Sequence, residues 1–356
     1  MVFQKKEEKI KINSIKELIK ILRGYKVISI IGLSKNVSKT TTLNHIINNM
    51  DNNVVLGLTS IGRDGEKYDS ISNFPKPKIM VKSGTYIATA EESLKNTEIK
   101  IELLKRTRFS TPMGDVLIIK TVEDGFIELA GPSINSQLQK ICQDLLQVGC
   151  NIVLIDGAFD RKSYATPTIS EATILSTGAS VSENMMEVIN HTVHLINLFS
   201  IDKVSDDKVI DIANKIINSA KVGVIKRDLT WAKFRIPTAL SAAKEISDII
   251  GDNVKYLVIN SALTDSFLND FIKFLKNYRD ITILVPDSTK LFLSELEFKK
   301  FLKKGGKINV IRPIKIIAIT INPITPYGWR FDKVEFLRKL KKRVNVPVFD
   351  LGPCFF

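Results

Sequence analysis

A lysine followed by three threonines, Lys39 to Thr42, stands just beyond an apolar run that ends at Gly32, in the stretch VISIIGLSKNVSKTTTLNHII. A lysine and a hydroxyl at the start of a helical pattern, after a glycine turn, have the chemistry to hold a phosphorylated ligand. Backbone N–H groups of the turn and the positive end of the helix converge on one spot that suits an anion. Lys39 is placed to neutralise β- and γ-phosphates, the Thr40 hydroxyl to take a coordination position on Mg²⁺, and Thr41 to hydrogen-bond an α-phosphate. Gly32, Asn36 and Ser38 supply the loop. The spacing departs from G-x-x-x-x-G-K-[ST]: Ser38 occupies the second glycine position, and the loop from Gly32 is one residue longer. If the backbone at Ser38 needs φ > 0, a residue with a Cβ costs about 1 kcal/mol there.

A phosphate loop that hydrolyses nucleotide also needs a carboxylate at the end of a buried strand. NIVLIDGAFDR provides one in Asp156, expected to position the metal ion or its water. The loop SIGRDGE adds Arg63 for a phosphate and Asp64 and Glu66 for Mg²⁺ or an attacking group, Asp64 being the best candidate for orienting the nucleophile. RDGE reads equally as an ordinary polar turn. Asp160, Arg161 and Lys162 in DGAFDRKSYATP have the composition of a loop that senses a γ-phosphate. Thr177 and Gly178 in STGAS are candidates for contacting base or phosphate, and Gly131 to Ser133 in LAGPS for a second ligand contact. The expected catalytic set is Lys39, Asp64 and Asp156, with Thr40, Asp64 and Asp156 on the metal and ATP with Mg²⁺ as the cofactors.

Other features carry less. His191 and His194 lie three apart on a helical pattern with no third ligand, so they read as packed or surface residues before they read as a metal pair. His45 falls inside the helix after the loop, and Trp231 and Trp329 read as packing residues. Cys142, Cys150 and Cys354 are an odd number without a C-x-x-C, which speaks against a disulfide framework and a zinc ribbon.

The elements that must position these residues alternate along the chain. A short amphipathic helix (Ile15, Leu18, Ile19, Leu22) leads into a strand over 27–31, a helix over 39–50 and a strand over 54–58. A helix near 91–105, the strands DVLIIKTV and GFIEL, the helix SQLQKICQDLLQV, and the strands NIVLID and EATILSTGA follow. Strands separated by helices of this length predict an α/β fold with a mainly parallel sheet flanked by helices. The charged IDKVSDDK marks a boundary near residue 200. The reading is a nucleotide-binding domain over 1–200 and a second α/β domain over 201–356, to which the runs VGVIK, YLVIN, ITILV, KINVI and KIIAITI are assigned.

The 356 residues are 44% hydrophobic and 25% charged, an ordinary globular balance. The apolar runs are too short for a membrane span, and MVFQKKEEKIKIN has no apolar segment of a secretory signal, so a cytoplasmic protein is expected. The net charge of +14 is local: residues 290–345 hold 15 Lys and Arg against 4 Asp and Glu. There the lysines alternate with Phe, Leu and Ile at helical spacing, as on solvated faces of amphipathic helices. No nucleic-acid-binding signature accompanies them, and an acidic protein partner is a further reading.

The longer G-x5-G-K-T loop is similar to that of dethiobiotin synthetase and related synthetases. With TSIGRDGE, IDGAFDRKSYATP, ATILSTGA, ITINPITPYGWRFD and VPVFDL beside it, the chain over nearly its whole length resembles the KamB family. These are nucleotide-binding subunits of the lysine 5,6-aminomutase reactivase in bacteria that ferment lysine. Members more usually carry glycine at the position of Ser38. The resemblance implies a second ATPase subunit resembling MutS as partner, and ATP-driven release of damaged cobalamin from an adenosylcobalamin- and pyridoxal phosphate-dependent aminomutase. The basic C-terminal segment is then a candidate docking face. Two further readings are an ATP-dependent synthetase that phosphorylates a small carboxylate or carbamate, and a nucleotide-gated binding protein without hydrolysis.

Overall fold

A computed structural model describes residues 14–61, 79–95, 97–157, 165–234, 246 and 253–352. In chain order the first elements are α1 (Ile15–Leu22), β1 (Val27–Gly32), α2 (Lys39–Asn49), β2 (Leu56–Ser60), β3 (Ile79–Val81), β4 (Tyr86–Ala90), α3 (Glu91–Leu94), β5 (Ile101–Thr111), β6 (Gly114–Thr121) and β7 (Gly125–Ile127). Next come α4 (Asn135–Gln147), β8 (Ile152–Asp156), β9 (Ala172–Gly178), α5 (Met185–Phe199), α6 (Asp207–Ser219), β10 (Val222–Lys226), β11 (Trp231–Phe234), β12 (Val254–Ile259) and β13 (Leu263–Thr264). The chain finishes with α7 (Asp265–Phe274), β14 (Thr282–Val285), β15 (Leu291–Phe292), α8 (Glu295–Lys303), β16 (Lys307–Val310), β17 (Ile316–Asn322), α9 (Lys333–Lys341) and β18 (Val348–Asp350). The fold is mixed α/β, built on a large, mainly parallel sheet flanked by helices. Among the described residues no helix is long and apolar enough to cross a membrane.

The nine-stranded sheet has the order β18-β17-β9-β1-β8-β2-β4-β6-β5. The pairs from β18 to β4 are all parallel, and β6 is antiparallel to both β4 and β5. Its central strands are apolar on both faces, as helices on both sides demand. Along β8, Ile152 and Leu154 pack with Leu43 and Ile46 of α2 and Leu18 and Leu22 of α1. Val153 and Ile155 face the other way, with Leu138, Ile141 and Leu145 of α4. A period of two in the strand thus becomes two separate cores. The entry helix α1 is fixed by a capping box, in which Ser14 accepts from the Glu17 N–H and Glu17 accepts from the Ser14 N–H.

Two compact units emerge: Met1–Tyr164 with Thr168–Val193 and Ile316–Phe356, and Ala165–Pro167 with His194–Lys315. The expected division into 1–200 and 201–356 differs from this at the C-terminus. KIIAITI, assigned by sequence to the second half, is β17 and lies beside β9 in the first sheet. The second unit has its own five-stranded sheet, β11-β10-β12-β14-β16, with β12, β14 and β16 parallel and β10 antiparallel to β11 and β12.

One element differs in type. The helix expected near 91–105 is a single turn, α3, and Ile101 onward is the long edge strand β5. The turn after β5 ends at Gly114, whose φ of +88° admits the chain reversal into β6. Pairing with β6 outweighs the helical spacing of Leu94, Ile101 and Leu104.

The basic segment 290–345 divides between the units, with residues 290–315 in the second and 316–345 in the first. Within it Lys299 pairs with Glu295, Lys300 with Glu297 at 3.0 Å and Lys339 with Glu335 at 2.7 Å, each inside one helix. These short-range pairs fit solvated helix faces.

Two predictions follow from the packing. Phe349 of β18 is fully buried in the first core, so Phe349→Ala is expected to destabilise the first unit by about 3–5 kcal/mol in urea denaturation, and a chain ending at Lys315 should lose the folded first unit. Burial pushes the thiols of Cys142 and Cys150 up to about 12. Both should therefore resist iodoacetamide at pH 8 in the native protein and react once it is unfolded, as peptide mass spectrometry would report.

Candidate functional site

The C-terminal ends of the central parallel strands define one edge of the large sheet. β1 is flanked by β8 and β9, with Ile30 opposite Asp156 and Gly32 opposite Ser176, and Asp156 in turn opposes Ser60 of β2. The Lys-Thr loop and the candidate carboxylate are thereby delivered to the same edge on neighbouring strands, where parallel sheets place their ligands. Gly157 keeps this junction tight: its N–H donates to the Ile30 carbonyl at 3.0 Å, and a Cβ there would meet that oxygen at 2.4 Å.

Between Gly32 and α2 the chain folds back on itself. Lys39 is the first residue of the helix, and its ammonium donates to the Ser34 carbonyl at 3.2 Å. A Cβ on Gly32 would lie 2.6 Å from Val37 Cγ2 and 2.9 Å from Lys39 Nζ, so only glycine lets the lysine lie across the turn. Asn36 and Ser38 both have left-handed backbones, with φ of 58° and 66°. The strain expected at Ser38 is present. It appears where the second glycine of the shorter motif would stand.

The beginning of α2 is electrically open. α1, α6, α7, α8 and α9 each have a capping side chain and an acidic residue in the first turn. α2 has neither: Ser38 caps no N–H with its side chain, and Lys39 to Thr42 contain no acid. Its first N–H groups and the positive helix end carry no side-chain compensation, which is the condition for receiving an anion. α4, after Gly131, also begins without a side-chain cap or an acid. Gly131 lies against the end of β2, since a Cβ there would meet the Ser60 carbonyl at 1.7 Å.

The C-terminal segment holds the loop from the other side. The Asn36 carbonyl accepts from Ser180 Oγ at 3.1 Å and from Asn322 Nδ2 at 3.4 Å, while Asn36 Nδ2 donates to the Tyr327 hydroxyl at 3.2 Å. Tyr327 stacks on Trp329 with ring centroids 5.6 Å apart, and the Trp329 indole donates to the Ala179 carbonyl. Beneath the loop a buried hydroxyl ladder joins three elements, Thr42 to Thr320 at 3.0 Å and Thr320 to Ser176 at 2.8 Å. Beside α2 lies a cleft of about 510 Å³, reaching from Ser38 and Thr41 to Asn322, Lys333 and Asp350.

Of the residues singled out by sequence, Gly32, Asn36, Ser38, Lys39, Thr40, Thr41 and Asp156 come together at this edge. Arg63, Asp64 and Glu66, and Asp160, Arg161 and Lys162, lie outside the described residues. Thr177 and Gly178 lie at the end of β9, beside β17. Thr177 is fully buried with its hydroxyl on Thr192 at 2.9 Å, and a Cβ on Gly178 would strike the Asn322 carbonyl at 2.2 Å. His194 bonds the Leu293 carbonyl at 2.7 Å, His191 is exposed beside Glu187, and His45 reaches the Gly352 carbonyl at 3.3 Å.

Asn322, Thr320, Lys333 and Asp350 were not reached by reasoning from spacing. The signal for Thr320 and Asn322 was present in AITINP, a doubly apolar run ending in Asn-Pro, which reads as a central parallel strand with a loop at its carboxyl end. Comparison with protein-family models, curated proteins and solved structures finds no match to this chain.

Relieving the left-handed strain should be measurable. Ser38→Gly is expected to raise stability by up to about 1 kcal/mol, seen as a higher urea midpoint. Gly32→Ala should lower that midpoint, because its Cβ has no space beside Val37 and Lys39.

Proposed function

We propose that the chain binds Mg-ATP through Gly32–Thr41 and Asp156 and hydrolyses it, serving as the nucleotide-binding subunit of a reactivating factor for an adenosylcobalamin-dependent lysine 5,6-aminomutase. The observation that carries the nucleotide part is the uncapped, acid-free start of α2, with Lys39 laid across Gly32. That cradle is filled by any Cβ at Gly32 and is lined with donors, so it fits a phosphate group. Lys39 holds the β- and γ-phosphates, Thr41 the α-phosphate, and Thr40 with Asp156 and Asp64 the Mg²⁺. The metal ion, when bound, supplies charge neutralisation between the phosphates. Asp64 orients the attacking water. The aminomutase and a MutS-like ATPase subunit enter as partners through the sequence resemblance alone.

A reading without hydrolysis is favoured by one observation, the strained Ser38 backbone at the hinge of the loop. Calorimetry with Mg-ATP on the wild type, Lys39→Ala and Asp64→Asn, with phosphate release followed in parallel, separates these. The expected outcome is binding that falls at least 100-fold in Lys39→Ala, and phosphate release that is lost in Asp64→Asn while binding persists. Binding without phosphate release, alone or with candidate partners, would establish the nucleotide-gated form. No binding by the wild type would remove the nucleotide reading.

A further inference from the structure

Lys333 occupies a position that helix electrostatics disfavours. It is the first residue of α9, where the positive end of the helix repels a cation. The remaining charges of that helix obey the rule, with Asp332 as N-cap, Glu335 in the first turn and Arg338, Lys339 and Lys341 in the last. Among the described helices only α2 and α9 begin with lysine, and Lys39 of α2 is the residue assigned to phosphates. A local violation in an otherwise consistent element is characteristic of a functional position.

Lys333 is also anchored. Its ammonium lies 2.6 Å from Asp350 Oδ2, and the Asp350 side chain is 1% exposed whereas that of Lys333 is 52% exposed. Asp350 Oδ1 accepts from the Gly352 N–H at 3.0 Å. The buried carboxylate is thus held by one hydrogen bond at Oδ1 and the ion pair at Oδ2, and the ammonium is the member of the pair that remains accessible. An ammonium has three N–H donors, so after Asp350 it can still donate to a ligand. Both residues line the cleft that begins at Ser38 and Thr41, beside the start of α2. Pro323, Ile324, Pro326 and Leu351 give that cleft an apolar wall suited to a flat ring.

We infer that Lys333, positioned by Asp350, donates a hydrogen bond to a ring nitrogen of the purine of a nucleotide whose phosphates occupy the Gly32–Thr41 loop. The inference rests on the nucleotide reading above and adds to it the residue that reads the base. Adenine offers N7 on one edge and N1 and N3 on the others as acceptors. Among the described residues lining the cleft Lys333 is the one cation, and so its charged donor. Asp350 acts through Lys333 and is a positioning residue.

The test is a set of Mg-nucleotide titrations on the full chain with ATP, the deaza analogues 7-deaza-ATP, 3-deaza-ATP and 1-deaza-ATP, and inorganic tripolyphosphate, repeated with Lys333→Met and Asp350→Asn. The expected result is that one deaza analogue binds wild type about tenfold or more weaker than ATP, as loss of a charge-assisted hydrogen bond implies. In Lys333→Met that difference should vanish while tripolyphosphate binding is unchanged, and Asp350→Asn should shrink it. The analogue series on the wild type needs no variant to fold. Equal binding of ATP and all three deaza analogues, with Lys39-dependent ATP binding intact, would overturn the role of Lys333 and leave the nucleotide reading standing. Failure of both ATP and tripolyphosphate to bind would overturn the nucleotide reading itself, and this inference with it.

Discussion

Everything at the candidate site depends on one turn of backbone, the passage from β1 into α2 through two left-handed residues. With Asn36 and Ser38 at positive φ, the chain reverses within a few residues and starts a helix directly beyond the strand that feeds it. That geometry brings the Lys39 side chain back over Gly32 and leaves the first N–H groups of α2 without a capping side chain. A glycine at position 38 would reach the same conformation without the Cβ penalty of about 1 kcal/mol. Serine keeps the penalty, and the surrounding contacts must hold the loop against it. They are numerous: Asn36 is held through both its carbonyl and its side chain, and Thr42 is tied by its hydroxyl to β17.

Those contacts come from far along the chain. Thr320, Asn322 and Tyr327 lie some three hundred residues after the loop, yet they are its immediate neighbours because β17 is inserted beside β9. The second unit is a long excursion between β9 and β17, after which the chain returns to complete the first sheet. The start of the loop is thus set locally, by β1 and α2, whereas its contacts come from β17 and the segment that follows it. Folding of the loop is coupled to docking of the C-terminal segment, and long-range pairing of this kind carries a closure cost that local helices do not.

This separation decides what was legible in the sequence. The strand, turn and helix around Lys39 were readable because glycine, lysine and an apolar run act over short distances. The same is true of Asp156, which ends a buried run in the way a parallel strand must. The parallel sheet followed from alternation of strands and helices. The edge strand β5 was misread because Leu94, Ile101 and Leu104 fall at helical spacing, and only the Gly114 reversal and pairing to β6 settle its type. Assignment of β17 to the second half failed for a different reason. Sequence order places it after the seven strands β10 to β16 of the second unit, and nothing in its own residues says which sheet it joins. Its ending in Asn322-Pro323 was the available clue to a ligand edge.

The same return of the chain divides the basic stretch between the two units. A run of lysines from 290 to 345 suggests one docking face, but the fold gives its first part to one unit and its second part to the other. Within each part the charges have individual roles. Those on α8 and the middle of α9 pair with glutamates one turn away and compensate helix ends, contributing little to stability. Lys333 is different in kind, because its partner Asp350 is buried in β18 and belongs to another element. A buried carboxylate that fixes one exposed ammonium costs desolvation that a surface pair avoids. Here the cation so fixed lies on the wall of the cleft that begins at Ser38 and Thr41. Net charge is therefore a poor guide to this protein's ligands, and the partner of each cation is a better one.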